Sequence, residues 1–152
     1  MSEQAVKPRA PAKSTRRRSR ELAVQGMYQW RLTGEESAQI EKQIIEQGTG
    51  RYDVALFKAL LQGALAQREP LEKLVCTHLD RPINELSPIE YSILLLGAYE
   101  LLHQAETPYR VIINESVELT KTFGGTDGHK YVNGVLDKLA ATLRMVEIRA
   151  GK

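Results

Sequence analysis

The sequence predicts an all-α fold, and three observations carry that reading. Apolar side chains recur at three- and four-residue intervals along most of the chain. Cap residues and prolines punctuate the starts of those stretches, and glycines their ends. No two-residue turn flanked by alternating residues marks a hairpin, and the β-branched residues also sit at helical spacing. About seven helices account for the chain.

In order, residues 1–14 ("MSEQAVKPRAPAKS") are polar, contain Pro8 and Pro11 and lack periodicity, so they read as a disordered basic tail before one domain over 15–149. Ser14 or Thr15 can cap a first helix whose Leu22, Ala23, Gly26, Met27 and Trp30 form one stripe, ending near Gly34. A weaker helix over about Ser37 to Gln47 turns Ile40, Ile44 and Ile45 inward and stops at "GTG". Asp53 caps a third, with Leu56, Leu60, Leu61, Ala64 and Leu65 inward. Pro70 opens a short fourth helix carrying Leu71, Leu74, Val75 and Leu79, and Pro82 closes it.

The clearest start signal is "SPIE": Ser87 as N-cap, Pro88 at the first helical position and Glu90 completing a capping box. The "YSILLLGAYELL" that follows is apolar nearly all round and belongs at the centre of a bundle. Thr107-Pro108 repeats the cap-then-proline start of a helix burying Ile112, Ser116, Leu119 and Phe123. After "GGTDG", a last helix turns Val132, Val135, Leu136, Leu139 and Leu143 inward and frays at "RAGK".

Charge is unevenly placed. Residues 1–20 hold seven basic side chains, Lys7, Arg9, Lys13, Arg16, Arg17, Arg18 and Arg20, against Glu3 alone, whereas the net charge of the whole is only +2. A basic arm on a mildly acidic body suits a polyanion engaged at one place, although a solubilising tail has the same composition. A transit peptide is also basic and serine-containing, but prolines precede the arginines here. No apolar stretch is long enough for a membrane helix, so no membrane association is expected. The single Cys76 excludes an internal disulfide, is consistent with a reducing cytoplasm, and reads as a buried or half-buried inert thiol.

Catalytic patterns are missing. His78, His103 and His129 are far apart and form no metal-ligand pair, and "GGTDGHK" lacks both the glycine spacing and the preceding strand of a phosphate loop. The carboxylates Glu85, Glu90, Glu100, Glu106, Glu115 and Glu118 show no pairing for acid–base work and read mostly as surface charge. No enzyme activity, metal or cofactor is expected.

Two stretches point to nucleic acid. In "RRRSRELAVQGMYQW", Arg16, Arg17, Arg18 and Arg20 supply guanidinium groups for phosphates. Tyr28 lies off the apolar stripe, where it is either a boundary residue with a wet hydroxyl or a stacking platform for an unpaired base. In "DGHKYVNG", Asp127 or Gly128 starts the last helix, and Lys130 adds charge to amides that favour anions. A basic, aromatic helix start without a ligand would look the same.

Together "RRRSRELAVQGMYQW", "SPIEYSILLLGAYEL", "TPYRVIINESVELTKTFGG" and "HKYVNGVLDKLA" resemble the NusB family of bacterial transcription antitermination factors, over roughly residues 16–142. The resemblance implies two packed helical bundles, no catalysis, and binding of the single-stranded boxA element of ribosomal-RNA transcripts. It implies a NusE-type small-subunit ribosomal protein as partner, joined by NusA and NusG on RNA polymerase to suppress Rho-dependent termination. An alternative within the same resemblance is a chaperone of that ribosomal protein with secondary RNA binding. Some family members self-associate through the RNA-binding face, so a homodimer is allowed. RNA contacts carry over to Arg16, Arg17, Arg18 and Arg20, to Tyr28, to Glu90, and to Asp127, Lys130 and Tyr131, the last standing where many members have phenylalanine.

Overall fold

The computed structural model describes residues 11–48, 50–124 and 127–151, with side chains from residue 15 onward. Among the described residues there are eight α-helices, one 3-10 turn and no strand. The helices are α1 (Pro11–Thr33), α2 (Ser37–Glu46), α3 (Val54–Ala66), α4 (Arg68–Cys76), α5 (Pro88–His103), α6 (Tyr109–Phe123), α7 (Gly128–Leu143) and α8 (Met145–Ala150). The 3-10 turn, Ile83–Glu85, leads into α5.

Most helices begin and end where their chemistry requires. Asp53 Oδ1 accepts the Leu56 N–H at 3.0 Å and caps α3. The α5 capping box is complete: Ser87 Oγ accepts the Glu90 N–H at 3.0 Å, and Glu90 Oε1 accepts the Ser87 N–H at 3.2 Å. Gly34, at φ +72°, ends α1 in a left-handed conformation that costs glycine nothing.

Helix α1 already includes Pro11, the first described residue, inside the expected tail, and α4 begins at Arg68, two residues before Pro70. Proline is compatible with a first helical turn, whose amides have no partner within the helix. The rest of the expected tail, residues 1–10, lies outside the described residues.

Helix α5 is the hub. Its ten buried residues run from Tyr91 to Leu101. One group, α1, α2 and α3, packs mutually; a second, α5, α6 and α7, does likewise; and α5 joins them through α1, α3 and α4. Close approaches are set by small residues. A Cβ on Gly26 would lie 2.9 Å from Leu61 Cδ1, and one on Gly97 3.0 Å from Leu136 Cδ1. Trp30 is half-buried against this core, its ring stacked near Tyr91 at 6.4 Å with the Arg68 guanidinium 5.1 Å away.

The C-terminal end of α5 holds the largest surprise. Arg144, between α7 and α8, is buried, and its guanidinium donates to the carbonyls of Leu101 (2.7 Å), Gln104 (3.0 Å), Glu100 (3.2 Å) and Thr107 (3.0 Å). It supplies a donor to the Leu101 carbonyl and adds a second donor to those of Glu100 and Gln104, which also accept the Gln104 and Thr107 N–H groups. The chain is thereby turned after Leu143, and the single last helix expected up to "RAGK" is divided at Arg144 into α7 and α8. Glu147 of α8 then accepts the Tyr109 N–H at 3.0 Å, placing a carboxylate at the start of α6. Thr107 does not cap α6; Pro108 occupies the cap position, and the Thr107 carbonyl is bound to Arg144.

Three side chains sit elsewhere than their spacing suggests. Phe123 is 41% exposed because it occupies the last turn of α6, beyond the stripe Ile112, Ile113, Ser116, Leu119 and Thr120 that the bundle covers. Cys76 is exposed, since Val75 takes the inward position on α4 and the next residue turns about 100° away. Glu100, expected at the surface, is buried and paired with Arg20: Nε and Nη2 donate to its two oxygens at 2.9 and 2.8 Å.

That pair leads to a stability prediction. Arg20→Ala strands a buried carboxylate and should lower unfolding stability by about 3–5 kcal/mol in urea titrations, whereas the double change Arg20→Met, Glu100→Met should recover most of the loss. Equal losses in single and double variants would show that the pair's packing, not its charge balance, matters.

Candidate nucleic-acid interface

Helix directions place the candidate residues. Arg20 pairs with Glu100 and Trp30 stacks near Tyr91, so α1 runs antiparallel to α5. A Cβ on Gly97 would approach Ser116, and one on Gly124 would lie near Ile89, so α6 is also antiparallel to α5. Helices α1 and α6 therefore run parallel, and Arg17 bridges them: Nε and Nη2 donate to the Glu115 carboxylate at 3.0 and 2.9 Å. The Glu115 hydrogen bond holds the Arg17 guanidinium above its ordinary pKa.

The four arginines divide according to helix geometry. Arg16 is exposed and reaches Asp53 at 3.4 Å, and Arg18 is half-exposed beside Glu21 at 2.9 Å. Arg17 is half-buried in its bidentate pair. Arg20 faces inward and is only 4% exposed. Burial would lower its pKa, but the hydrogen bonds and charge of Glu100 outweigh that and raise it. The expected continuous turn of phosphate-binding guanidiniums is thus not formed: Arg16, Arg17 and Arg18 reach the surface, and Arg20 is a core residue. Between them, Ser19 is buried, and its hydroxyl accepts the Asp53 N–H at 2.7 Å, tying the start of α3 to α1.

Further along α1, Tyr28 is 39% exposed. Eleven residues at 100° each return it to within about 20° of Arg17, and the rise places it about 17 Å further along the axis. Arg17 and Tyr28 therefore lie on one stripe, on the α6 side of the helix.

The remaining candidates gather at the end of the molecule where α5 and α7 begin. One oxygen of Glu90 caps α5, while the other, Oε2, would lie 3.1 Å from a Cβ on Gly128, the first residue of α7. Asp127 occupies the cap position of α7 without a side-chain cap bond and is exposed, as is Lys130. Tyr131 is half-buried; its Oη accepts the Asp80 N–H at 3.3 Å. The Arg81 guanidinium lies over the Tyr131 ring at 4.3 Å, with its Nε donating to Asp80 Oδ1 at 2.8 Å. Arg81 first, and then the Tyr131 hydroxyl, hold the Asp80 carboxyl below its ordinary pKa. Trp30 and Arg31 meet Tyr91 in the first turn of α5, Arg31 at 4.0 Å, so the Tyr28 end of α1 belongs to this same end of the fold.

Sequence reading did not find Arg81, Asp80 or Phe123 here. Arg81 sits in a non-periodic "LDRP" loop, and its relation to Tyr131 spans 50 positions with no local signal. Phe123 was assigned to the core by spacing alone. Among the described residues no three His, Cys, Asp or Glu side chains gather as metal donors would. What the surface offers is exposed guanidinium and ammonium groups, aromatic rings and one helix start bearing a lysine.

Comparison with known proteins gives this surface a family. A family model described as "NusB family" matches residues 17–141. The chain is 58% identical to a transcription antitermination protein NusB of Dechloromonas aromatica (strain RCB), covering 95% of this chain and 89% of that protein. It is 54% identical to the protein of that name from Ralstonia pickettii (strain 12J), covering 95% and 94%. Among solved structures, it is similar to a crystal structure of antitermination factors NusB and NusE in complex with dsRNA, with a TM-score of 0.74, 26% identity and coverage of 81% and 93%. It is also similar to a T. maritima NusB, with a TM-score of 0.72, 28% identity and coverage of 83% and 90%. Matched over residues 17–141 by the family model and over 83% of its length by fold, this chain belongs to the NusB family.

Proposed function

We propose that this protein is a noncatalytic RNA-binding factor of transcription antitermination, acting with a NusE-type ribosomal protein on single-stranded, boxA-like RNA of ribosomal-RNA transcripts. On this reading it joins NusA, NusG and RNA polymerase in the cytoplasm and opposes Rho-dependent termination. The observation that carries the proposal is the surface itself. Arg17 and the exposed ring of Tyr28 share one stripe of α1, flanked by Arg16 and Arg18, and it leads to the end of the fold where Glu90, Asp127, Lys130 and Tyr131 meet. Support also comes from the names of its relatives and from the NusB–NusE–dsRNA structure.

The chemistry favours unpaired RNA. An exposed tyrosine ring gains from a base only where that base is free to leave its own stack. Arg16 and Arg18 neutralise phosphates, and Lys130 with the first amides of α7 holds another. Glu90 Oε2 accepts from a base amino group while Oε1 keeps its cap. The alternative, a chaperone of the ribosomal protein with secondary RNA binding, rests on the same NusB–NusE pairing. Mixing the two proteins without RNA separates the readings: a complex as strong as with RNA favours the chaperone.

Three outcomes are expected. With about four basic contacts, affinity for a boxA-like single strand should fall with a log–log salt slope of about −3, and a duplex of the same sequence should bind more weakly. A flat salt response removes the electrostatic model. Tyr28→Ala should weaken single-strand binding about tenfold or more with folding intact by circular dichroism; unchanged affinity sinks its stacking role. Glu115→Gln, which leaves Arg17 without its carboxylate partner, should tighten binding severalfold and steepen the salt slope. Weaker binding would mean that the bridge positions Arg17 instead of competing for it.

A further inference from the structure

The unabsorbed feature of this surface is Arg81. Its guanidinium carbon stands 4.3 Å from the Tyr131 ring centroid, so the tyrosine is already covered on that side. Asp80 fixes it from the edge through Nε at 2.8 Å, and the Asp80 N–H is in turn bonded to the Tyr131 hydroxyl at 3.3 Å. The loop is stiffened by Pro82, at φ −61°, and by the 3-10 turn that follows. Yet the Arg81 side chain remains 41% exposed and, among the described residues, makes no other hydrogen bond. Glu90 is close enough for its charge to act on Arg81.

A guanidinium held this way lies over an aromatic ring and keeps part of its surface in solvent. Guanidinium planes stack on bases as aromatic rings do, and the tyrosine beneath adds cation–π attraction. The terminal nitrogens also remain available for a phosphate. We propose that the Tyr131–Arg81 pair is a two-layer platform on which one unpaired RNA base stacks, with Arg81 and not Tyr131 touching the base. This rests on the RNA-binding reading above and alters one part of it: Tyr131 acts through Arg81, as a positioning residue.

The alternative is that Arg81 is a cover that swings away to uncover Tyr131, and the two make opposite predictions. The test uses the full-length protein and a set of boxA-like single-stranded RNAs of about 12 nucleotides, each lacking one base at a different position. Wild type should lose about tenfold at the position of the stacked base. In Arg81→Ala, overall affinity should fall about tenfold, and removal of that base should cost nothing further, the coupling expected of groups in contact. Arg81→Lys keeps the charge without the plane; it should retain the salt slope but behave like Arg81→Ala in the base scan. Tyr131→Ala should weaken the same position only.

Tighter binding by Arg81→Ala would establish the cover and overturn the platform. An Arg81→Lys protein that keeps the wild-type base scan would reduce Arg81 to a point charge and also overturn it. A base penalty identical in wild type and Arg81→Ala at every position does the same. Failure of wild type to bind any of the intact RNAs is a different result, since it overturns the RNA-binding reading on which the platform depends.

Discussion

A helix that is apolar on every side has to be covered on every side, and α5 imposes that condition on the rest of the molecule. Helices α1, α3, α4, α6 and α7 all lean on it. Its flanks leave no room for function, so its polar groups emerge at its two ends and at one flank position. At the N-terminal end they are Ser87 and Glu90, in a capping box whose spare carboxylate oxygen faces α7. At the C-terminal end its last carbonyls are gathered by Arg144. In between, Glu100 is buried and is matched by Arg20. The candidate interface lies where it does because the start of α5 is where the starts of α7 and the end of α1 converge.

The arginine run shows how one stretch serves two purposes. Four arginines within five residues of a helix cannot all point outward, because successive side chains turn by about 100°. Arg16 and Arg18 reach solvent, Arg17 reaches α6, and Arg20 enters the core. A buried ion pair adds little net stability over an apolar pair of the same volume, yet losing either member is costly. Arg20 therefore matters to the fold, through Glu100, for a reason unrelated to RNA. An alanine scan read only by RNA binding would assign it to the interface wrongly, which is why its variants need a stability measurement beside them.

Much of this was legible in the sequence wherever the controlling interactions were local. The capping box, the Asp53 cap, the Gly34 stop and the stripe of Leu22, Ala23 and Met27 depend on residues within one or two turns of each other, and spacing reveals them. Tyr28 was placed outside by the same arithmetic, and it is exposed. What escaped depends on partners far away in the chain. Arg20 with Glu100, Arg144 with the end of α5, Glu147 with Tyr109 and Arg81 with Tyr131 are each separated by tens of residues. A charged residue in a sequence looks like surface until its partner is known. The start of α4 differs for another reason: proline reads as the boundary itself, although the first turn tolerates it at more than one position.

The distant pairs share a further property that bears on binding. Four arginines near the candidate interface are matched by carboxylates: Arg16 by Asp53, Arg17 by Glu115, Arg18 by Glu21 and Arg81 by Asp80. RNA approaching this surface exchanges phosphates for carboxylates at positions already neutralised, so each exchange gains less than a bare cation would. Such a surface is poor at holding any polyanion indiscriminately, because its long-range field is largely cancelled. On the proposed reading, discrimination then falls to the exposed ring of Tyr28, the solvent side of Arg81 and Glu90 Oε2, which has no hydrogen-bond partner among the described residues. Stacking and base-edge contacts are short-ranged and demand unpaired bases in register. Pairing the arginines internally thus shifts the balance from charge toward shape, which suits the proposed selection of one element within a transcript.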